Sequence, residues 1–247
     1  MLQPEQSARW CLERGGVAPA ELDVVAYSYD PALATISSED VLAGTWEGLR
    51  PLFVERAPRF LATALPGLDP ARVRFVPHHL AHAASAYLAS GWETCAVLTV
   101  DGRGEATSGL AAHFAGGRLH VLAEQRLPHS LGLVYESLTA HLGFRRASDE
   151  YKVMALASYG EPRWLGELSE SLRADGLGFV AEPPDWARFA PPLRASEGWT
   201  REHADLAATV QRALEDALLA LAAELHERTG ERRLALAGGV ALNCVAN

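Results

Sequence analysis

A mixed α/β fold is predicted by three features of the sequence. The segment 94–127, TCAVLTVDGRGEATSGLAAHFAGGRLHVLAEQRL, alternates β-rich runs with two glycine turns and reads as a meander of three strands. The segment 204–229 spaces Leu206, Val210, Leu214, Leu218, Leu221 and Leu225 three or four residues apart, the period of a helix with one buried face. Gly230 closes that helix and an apolar strand, RRLALAGG at 232–239, follows it, so strand and helix signals alternate along the chain.

The remaining elements follow from the same signals. Residues 5–16, EQSARWCLERGG, read as a short helix closed by glycines, and 22–30, LDVVAYSYD, as a strand running into a turn at Pro31. Residues 40–65 have helical spacing, with breaks expected at Pro51 and Pro58. RVRFVP at 72–77 reads as a short strand leading into His78, with a helix expected from about Leu80 to Ser90. Helical signals return over 132–159. The stretch 160–200, rich in Pro, Gly, Trp and Arg, contains EPPDW and APPLR and reads as an irregular Pro/Trp-rich insertion over the surface, placed to cover a site. The strands at 22–30 and 233–237 need partners, and the last Gly-Gly turn hands over to an unfinished helix, so both ends read as cut.

With 49% apolar and 21% charged residues over 247 positions, and 21 Gly and 14 Pro spread along them, the composition is that of a folded chain. It holds 22 basic against 31 acidic residues, a net charge of −9, without any run of five Lys or Arg, which argues against nucleic acid as a partner. No stretch reaches the roughly 20 apolar residues of a membrane span. The first ten residues have no secretory pattern, so a cytoplasmic location is expected. Cys11, Cys95 and Cys244 lie far apart, in apolar contexts and without CxxC spacing, and are expected to be buried thiols.

Candidate chemistry begins at PHHLAH. His78 and His82 are four apart, so on a helix they point the same way and can share a divalent metal; the alternative is that they cap and line a helix end. Asp101 ends an apolar strand directly before Gly102 and Gly104, a place for a third metal ligand, although DGRG also suits an ordinary hairpin turn. Two imidazoles and a carboxylate suit Fe(II), Mn(II) or Zn(II). Glu105 and Ser108 follow in the same turn, as second-layer partners or solvated groups. AGGVALN follows a strand, so Gly238 and Gly239 could turn their amides to a nucleotide phosphate or serve tight strand-to-helix packing, and Asn243 could bond a ligand or cap the turn. Lys152 could meet a phosphate or be solvated; Glu150, two residues earlier, faces a different neighbour. The other histidines are scattered and read as surface or core residues.

Taken together and in order, VPHHLAHAASAY, LTVDGRGE, SLGLVYESLTAHLGF, EYKVMALASYGEP and AGGVALNCVAN resemble the ATP-dependent O-carbamoyltransferases that decorate antibiotics and nodulation factors, from about residue 5 to the end. The resemblance implies an actin-like ATPase fold, of the kind shared with the universal tRNA threonylcarbamoyl transferase. It divides the chain into the remainder of a first subdomain with the metal-binding helix, about 1–93, and an unfinished second subdomain, about 94–247. It implies that carbamoyl phosphate and ATP give carbamoyl adenylate, whose carbamoyl group passes to a hydroxyl of a small molecule beside a metal, generally iron. His78, His82 and Asp101 match the family's metal positions; Gly102, Gly104, Glu105, Lys152, Gly238, Gly239 and Asn243 are the candidates for holding nucleotide and carbamoyl group. The family's opening turn with its histidine, the acidic ligand downstream of AGGVALN and the smaller adenylate-forming domain have no counterpart here, which implies truncation at both ends. The tRNA-modifying relative usually has an acidic residue between its metal histidines, where Leu80 and Ala81 stand here, so it is the alternative, together with an inactive nucleotide-binding fragment.

Overall fold

Helix α1 (Glu5–Gly15) ends where Gly16 turns left-handed, as its closing glycines predict. The computed structural model describes residues 4–35, 42–43, 45–194 and 197–247. The chain divides into two units, 1–81 and 82–247. In the first, strand β1 (Val25–Tyr27) pairs in parallel with β2 (Val73–Phe75), so the strand expected at 22–30 is present with three residues and has its partner within the chain. Between them run α2 (Trp46–Glu55) and α3 (Ala57–Ala64). Leu61, Leu65, Leu68 and Val73 form the core of this unit, with Ala8, Leu12, Val25 and Tyr27 packed against it.

The expected break at Pro51 does not occur: α2 runs through it, and burial of its ring offsets the lost backbone hydrogen bond. The chain breaks instead at Arg56, and Pro58 sits in the first turn of α3, where a missing N–H costs nothing. Residues 40, 41 and 44, at the start of that helical stretch, lie outside the described residues. Helix α4 (His78–Ser90) begins two residues before its expected start, and the division between the two units falls inside it, after Ala81.

The second unit is built on a four-stranded sheet. Strands β3 (Cys95–Val100), β4 (Thr107–Ala115) and β5 (Arg118–Arg126) form the expected antiparallel meander. Helices α5 (Leu131–His141), α6 (Glu150–Ala157) and the short α7 (Leu165–Leu168) follow. Next come a hairpin of β6 (Leu172–Asp175) and β7 (Gly178–Ala181), the 29-residue helix α8 (Arg201–Thr229) and strand β8 (Leu234–Ala237). The sheet order is β5-β4-β3-β8, with β8 parallel to β3, so the expected partner for the last strand is β3. All six residues of the predicted apolar stripe of α8 are buried, and truncating any one of these leucines to Ala costs about 2–5 kcal/mol.

Two expectations are corrected here. The 160–200 stretch is not a surface insertion as a whole: Leu168, Leu172, Leu177, Phe179, Ala181, Trp186 and Ala190 join the main core, and the Trp186 indole donates to Ser137 Oγ at 3.0 Å. Its Pro and Gly mark turns correctly, but the alternating apolar residues between them make the β6–β7 hairpin, whose side chains need a core. Residues 195 and 196 of that stretch lie outside the described residues. Of the three cysteines only Cys95 is buried; Cys11 and Cys244 are exposed, because an apolar neighbourhood in sequence does not say which face of a helix or turn is outward.

Candidate metal centre and adjoining cavity

Strand β3 is buried along its whole length, and its side chains separate by parity into two cores. Ala96, Leu98 and Val100 pack with residues of α5 and α8, whereas Cys95 and Val97 pack with Ala83 of α4. Period-two alternation carries this parity one residue past the strand, so Asp101 leaves β3 on the α4 side. There His82, next to Ala83 on the helix, brings its Nε2 to 3.3 Å from Asp101 Oδ2.

Asp101 is held on every side. Its own N–H donates to the Ser108 carbonyl at 2.9 Å, and the Ser130 hydroxyl contacts the Asp101 and Gly102 carbonyls at 3.1 and 2.6 Å. The Gly239 N–H donates to Asp101 Oδ1 at 2.9 Å. Because β8 runs parallel beside β3, the turns after both strands emerge at one edge, and the second reaches the first. That approach requires glycines. Gly238 has φ 99° and a side chain there would strike the Val100 carbonyl, while a Cβ on Gly239 would sit 2.7 Å from Asp101 Oδ1.

His78 opens α4, one turn before His82. Its Nδ1 lies 3.0 Å from the Ser28 carbonyl, which only accepts, so Nδ1 carries the proton and Nε2 is the basic nitrogen. One ligand atom from each of His78, His82 and Asp101 lies within 4.8 Å of the others. Two atoms bonded at roughly 2.1 Å to one ion stand at most about 4.2 Å apart, so movements of about half an ångström would seat all three. The donor set and the carbonyl backing His78 fit a divalent transition metal.

Asp101 also opens a cavity of about 400 Å³, walled by Gly102, Gly132, Tyr135, Glu136, Glu150, Met154, Leu214, Gly239, Val240 and Asn243 among others. Its floor is a buried polar network. The Tyr135 hydroxyl donates to Gln211 Oε1 at 2.9 Å, and the side-chain amides of Gln211 and Asn243 pair at 3.1 and 2.9 Å. Burial, reinforced by the Glu150 carboxylate, pushes the Tyr135 phenol well above its ordinary pKa, so it stays a donor.

Residues 51–247 match the family described as Carbamoyltransferase N-terminus. The chain belongs to the carbamoyltransferase family. Among its relatives, nodulation protein NolNO of Sinorhizobium fredii is 36% identical over 257 residues, covering 99% of this chain and 37% of that one. Nodulation protein NolO of Bradyrhizobium diazoefficiens is 38% identical over 176 residues, covering 69% and 32%. An uncharacterized protein of Synechocystis is 34% identical over 279 residues, covering 99% and 45%. The chain thus spans less than half the length of these relatives. The crystal structure of T. kodakarensis HypF aligns with 96% of this chain and 37% of that one, at a TM-score of 0.49 and 17% identity.

The candidate metal centre and the adjoining cavity contain most of the residues singled out in the sequence, in roles the sequence did not separate. His78, His82 and Asp101 converge. Gly102, Gly239 and Asn243 line the cavity. Gly104 closes the DGRG hairpin, its N–H donating to the Thr107 carbonyl at 2.8 Å, so the turn reading holds. Glu105 is buried beside it. Asn243 spends its side chain inside the protein: Oδ1 accepts from the Val245 and Ala246 N–H groups as well as from Gln211. Lys152 is not among the cavity's lining residues; its ammonium pairs with Asp149 at 2.9 Å, while Glu150 accepts from the Ala147 N–H, so the two do serve different neighbours. AGGVALN turns into a 3-10 segment, Gly239–Leu242. Tyr135, Glu136 and Gln211 were not singled out; the Tyr-Glu of VYES and the lone buried-face Gln of α8 were the available signals.

Proposed function

We propose that this chain performs the transfer half of an O-carbamoyltransferase reaction, in which carbamoyl adenylate, made from carbamoyl phosphate and ATP, gives its carbamoyl group to a hydroxyl of a sugar-containing or other secondary metabolite. The observation that carries this reading is the meeting of His78, His82 and Asp101, the last of which also lines a cavity of about 400 Å³, in a carbamoyltransferase-family chain. The names of NolNO and NolO as nodulation proteins are consistent with a small-molecule acceptor.

His78 through Nε2, His82 and Asp101 through Oδ2 would hold Fe2+, with Zn2+ and Mn2+ as the other ions this donor set suits. Such an ion, when bound, supplies polarisation of the carbamoyl carbonyl and offsets negative charge as the hydroxyl adds. The chain's own groups do the rest. Met154, Leu214 and Val240 wall the cavity with apolar surface that excludes water from a reactive mixed anhydride, and the Gly102 and Gly239 backbones keep the wall thin beside Asp101. In the transfer the acceptor oxygen forms a bond to the carbamoyl carbon and loses its proton, the bond from that carbon to the phosphate oxygen breaks, and AMP departs. Anaerobic loading with Fe2+ followed by elemental analysis is expected to return about one ion per chain for the wild type and far less for His82→Ala. Equal metal content in the two would end the reading.

A further inference from the structure

Helix α5 begins against the turn that carries Asp101. Its second residue is Gly132, and a Cβ built there would lie 2.6 Å from the Gly102 nitrogen, 2.7 Å from the Gly102 Cα and 2.8 Å from the Asp101 carbonyl carbon. All three are backbone atoms of one peptide unit, with no flexible side chain to swing away, so the contact requires glycine. The requirement is one-sided: a Cβ on Gly102 would meet Leu133 Cδ2 at 3.9 Å, an ordinary contact. Ser130, the N-cap of the same helix, closes the junction. Its hydroxyl accepts from the Leu133 N–H at 3.1 Å and reaches the Asp101 and Gly102 carbonyls at 3.1 and 2.6 Å.

The helix has other anchors. Leu131, Val134, Tyr135 and Leu138 hold it in the main core, whereas a glycine brings no side chain to that core and lowers helix propensity. What the contact does fix is the place of Asp101. The aspartate's N–H is held by the Ser108 carbonyl and its Oδ1 by the Gly239 N–H, the peptide that follows it rests on Gly132, and Oδ2 stands 3.3 Å from His82 Nε2. Gly132 also lines the cavity, as do Tyr135 and Glu136 one turn further along α5. From this juxtaposition we propose that Gly132, with Ser130 beside it, is a positioning residue of the metal centre. It lets the first turn of α5 seat the Asp101–Gly102 peptide, and so sets how far the carboxylate stands from His82 and from the cavity wall. The assignment rests on the reading of His78, His82 and Asp101 as metal ligands, and adds to it the element that holds the carboxylate at its depth.

The test is titration of the 247-residue chain with Co2+, followed by visible absorption, beside the urea midpoint of each variant. Gly132→Ala is expected to weaken Co2+ by about tenfold or more, the scale on which an outer partner of a metal ligand acts. Leu138→Ala, fully buried on the same helix, is expected to lower the urea midpoint and leave Co2+ affinity as in the wild type. Ser130→Gly keeps a residue tolerated at an N-cap and removes the hydroxyl from both carbonyls. It is expected to weaken Co2+ by about threefold or more, and it carries the comparison if Gly132→Ala fails to fold. If the variant that carries the comparison binds Co2+ as tightly as Leu138→Ala does, the contact serves packing alone and the assignment is wrong, while the metal reading stands. If the wild type binds no Co2+, the metal reading falls and takes this assignment with it.

Discussion

Two turns emerge side by side from the parallel strands β3 and β8, and they do opposite things. The first, DGRG, puts a carboxylate where two imidazoles converge. The second, AGGV, contributes no side chain; it contributes a main-chain N–H that grips the carboxylate from behind. The second turn leads to Asn243, whose side-chain amide pairs with that of Gln211 on α8, and beside the first lie Ser108 and Ser130. Neighbouring strand ends of one sheet thus divide chemistry from geometry, and the acid's aim depends on both.

Breaking the supporting turn outright should have the largest effect. Gly238→Ala needs a left-handed φ and drives a methyl into the Val100 carbonyl, so it is expected to lower stability by about 4 kcal/mol or more, read as a fall in the urea midpoint. Next, Asp101→Asn keeps the acceptor for Gly239 and removes the charge. Affinity for Co2+, followed by its visible absorption, is expected to drop by at least about 100-fold with little change in the melting temperature. A similar drop in stability would mean that Asp101 serves the fold and not a ligand. Gly239→Ala should be milder, pushing Asp101 Oδ1 aside and weakening Co2+ by about tenfold.

The opposite end of the same strands gives the smallest effect and sharpens the contrast. There Glu231, just before β8, meets His113 of β4 at 2.9 Å, and that hydrogen bond holds its carboxyl below the ordinary value of 4.5. A depressed carboxyl stabilises the fold above its unfolded pKa, and the contribution is lost as pH falls through the lower folded value. The melting temperature of His113→Ala should therefore fall less steeply between about pH 5 and pH 3 than that of the wild type, with Co2+ binding at pH 7 the same in both.

Much of this was readable before any coordinates. The meander, the α8 stripe and the i,i+4 histidines are periodic signals, and periodicity reports which face is buried. Asp101 was found because it ends an apolar run. The β6–β7 hairpin was missed because Pro and Gly dominate its surroundings, and turn residues announce a change of direction without saying whether the chain between them is inside. Asn243 was read as a ligand contact or a turn cap; only its spatial neighbours, Gln211 and the 245–246 amides, show that its side chain is used up. Arg103 and Arg146 stand 43 positions apart and share a partner, Glu136, between them, a relation that spacing does not contain.

The grip of Gly239 on one oxygen of Asp101 has a consequence for ion choice. Large alkaline-earth ions such as calcium collect about six to eight oxygens and commonly seize a carboxylate with both at once. With Oδ1 taken by the Gly239 N–H, Asp101 would offer a metal ion one oxygen, beside one nitrogen each from His78 and His82. Calcium in millimolar excess would therefore be a poor competitor for a smaller, nitrogen-seeking cation, and the selection would come from a peptide bond on the neighbouring strand's turn.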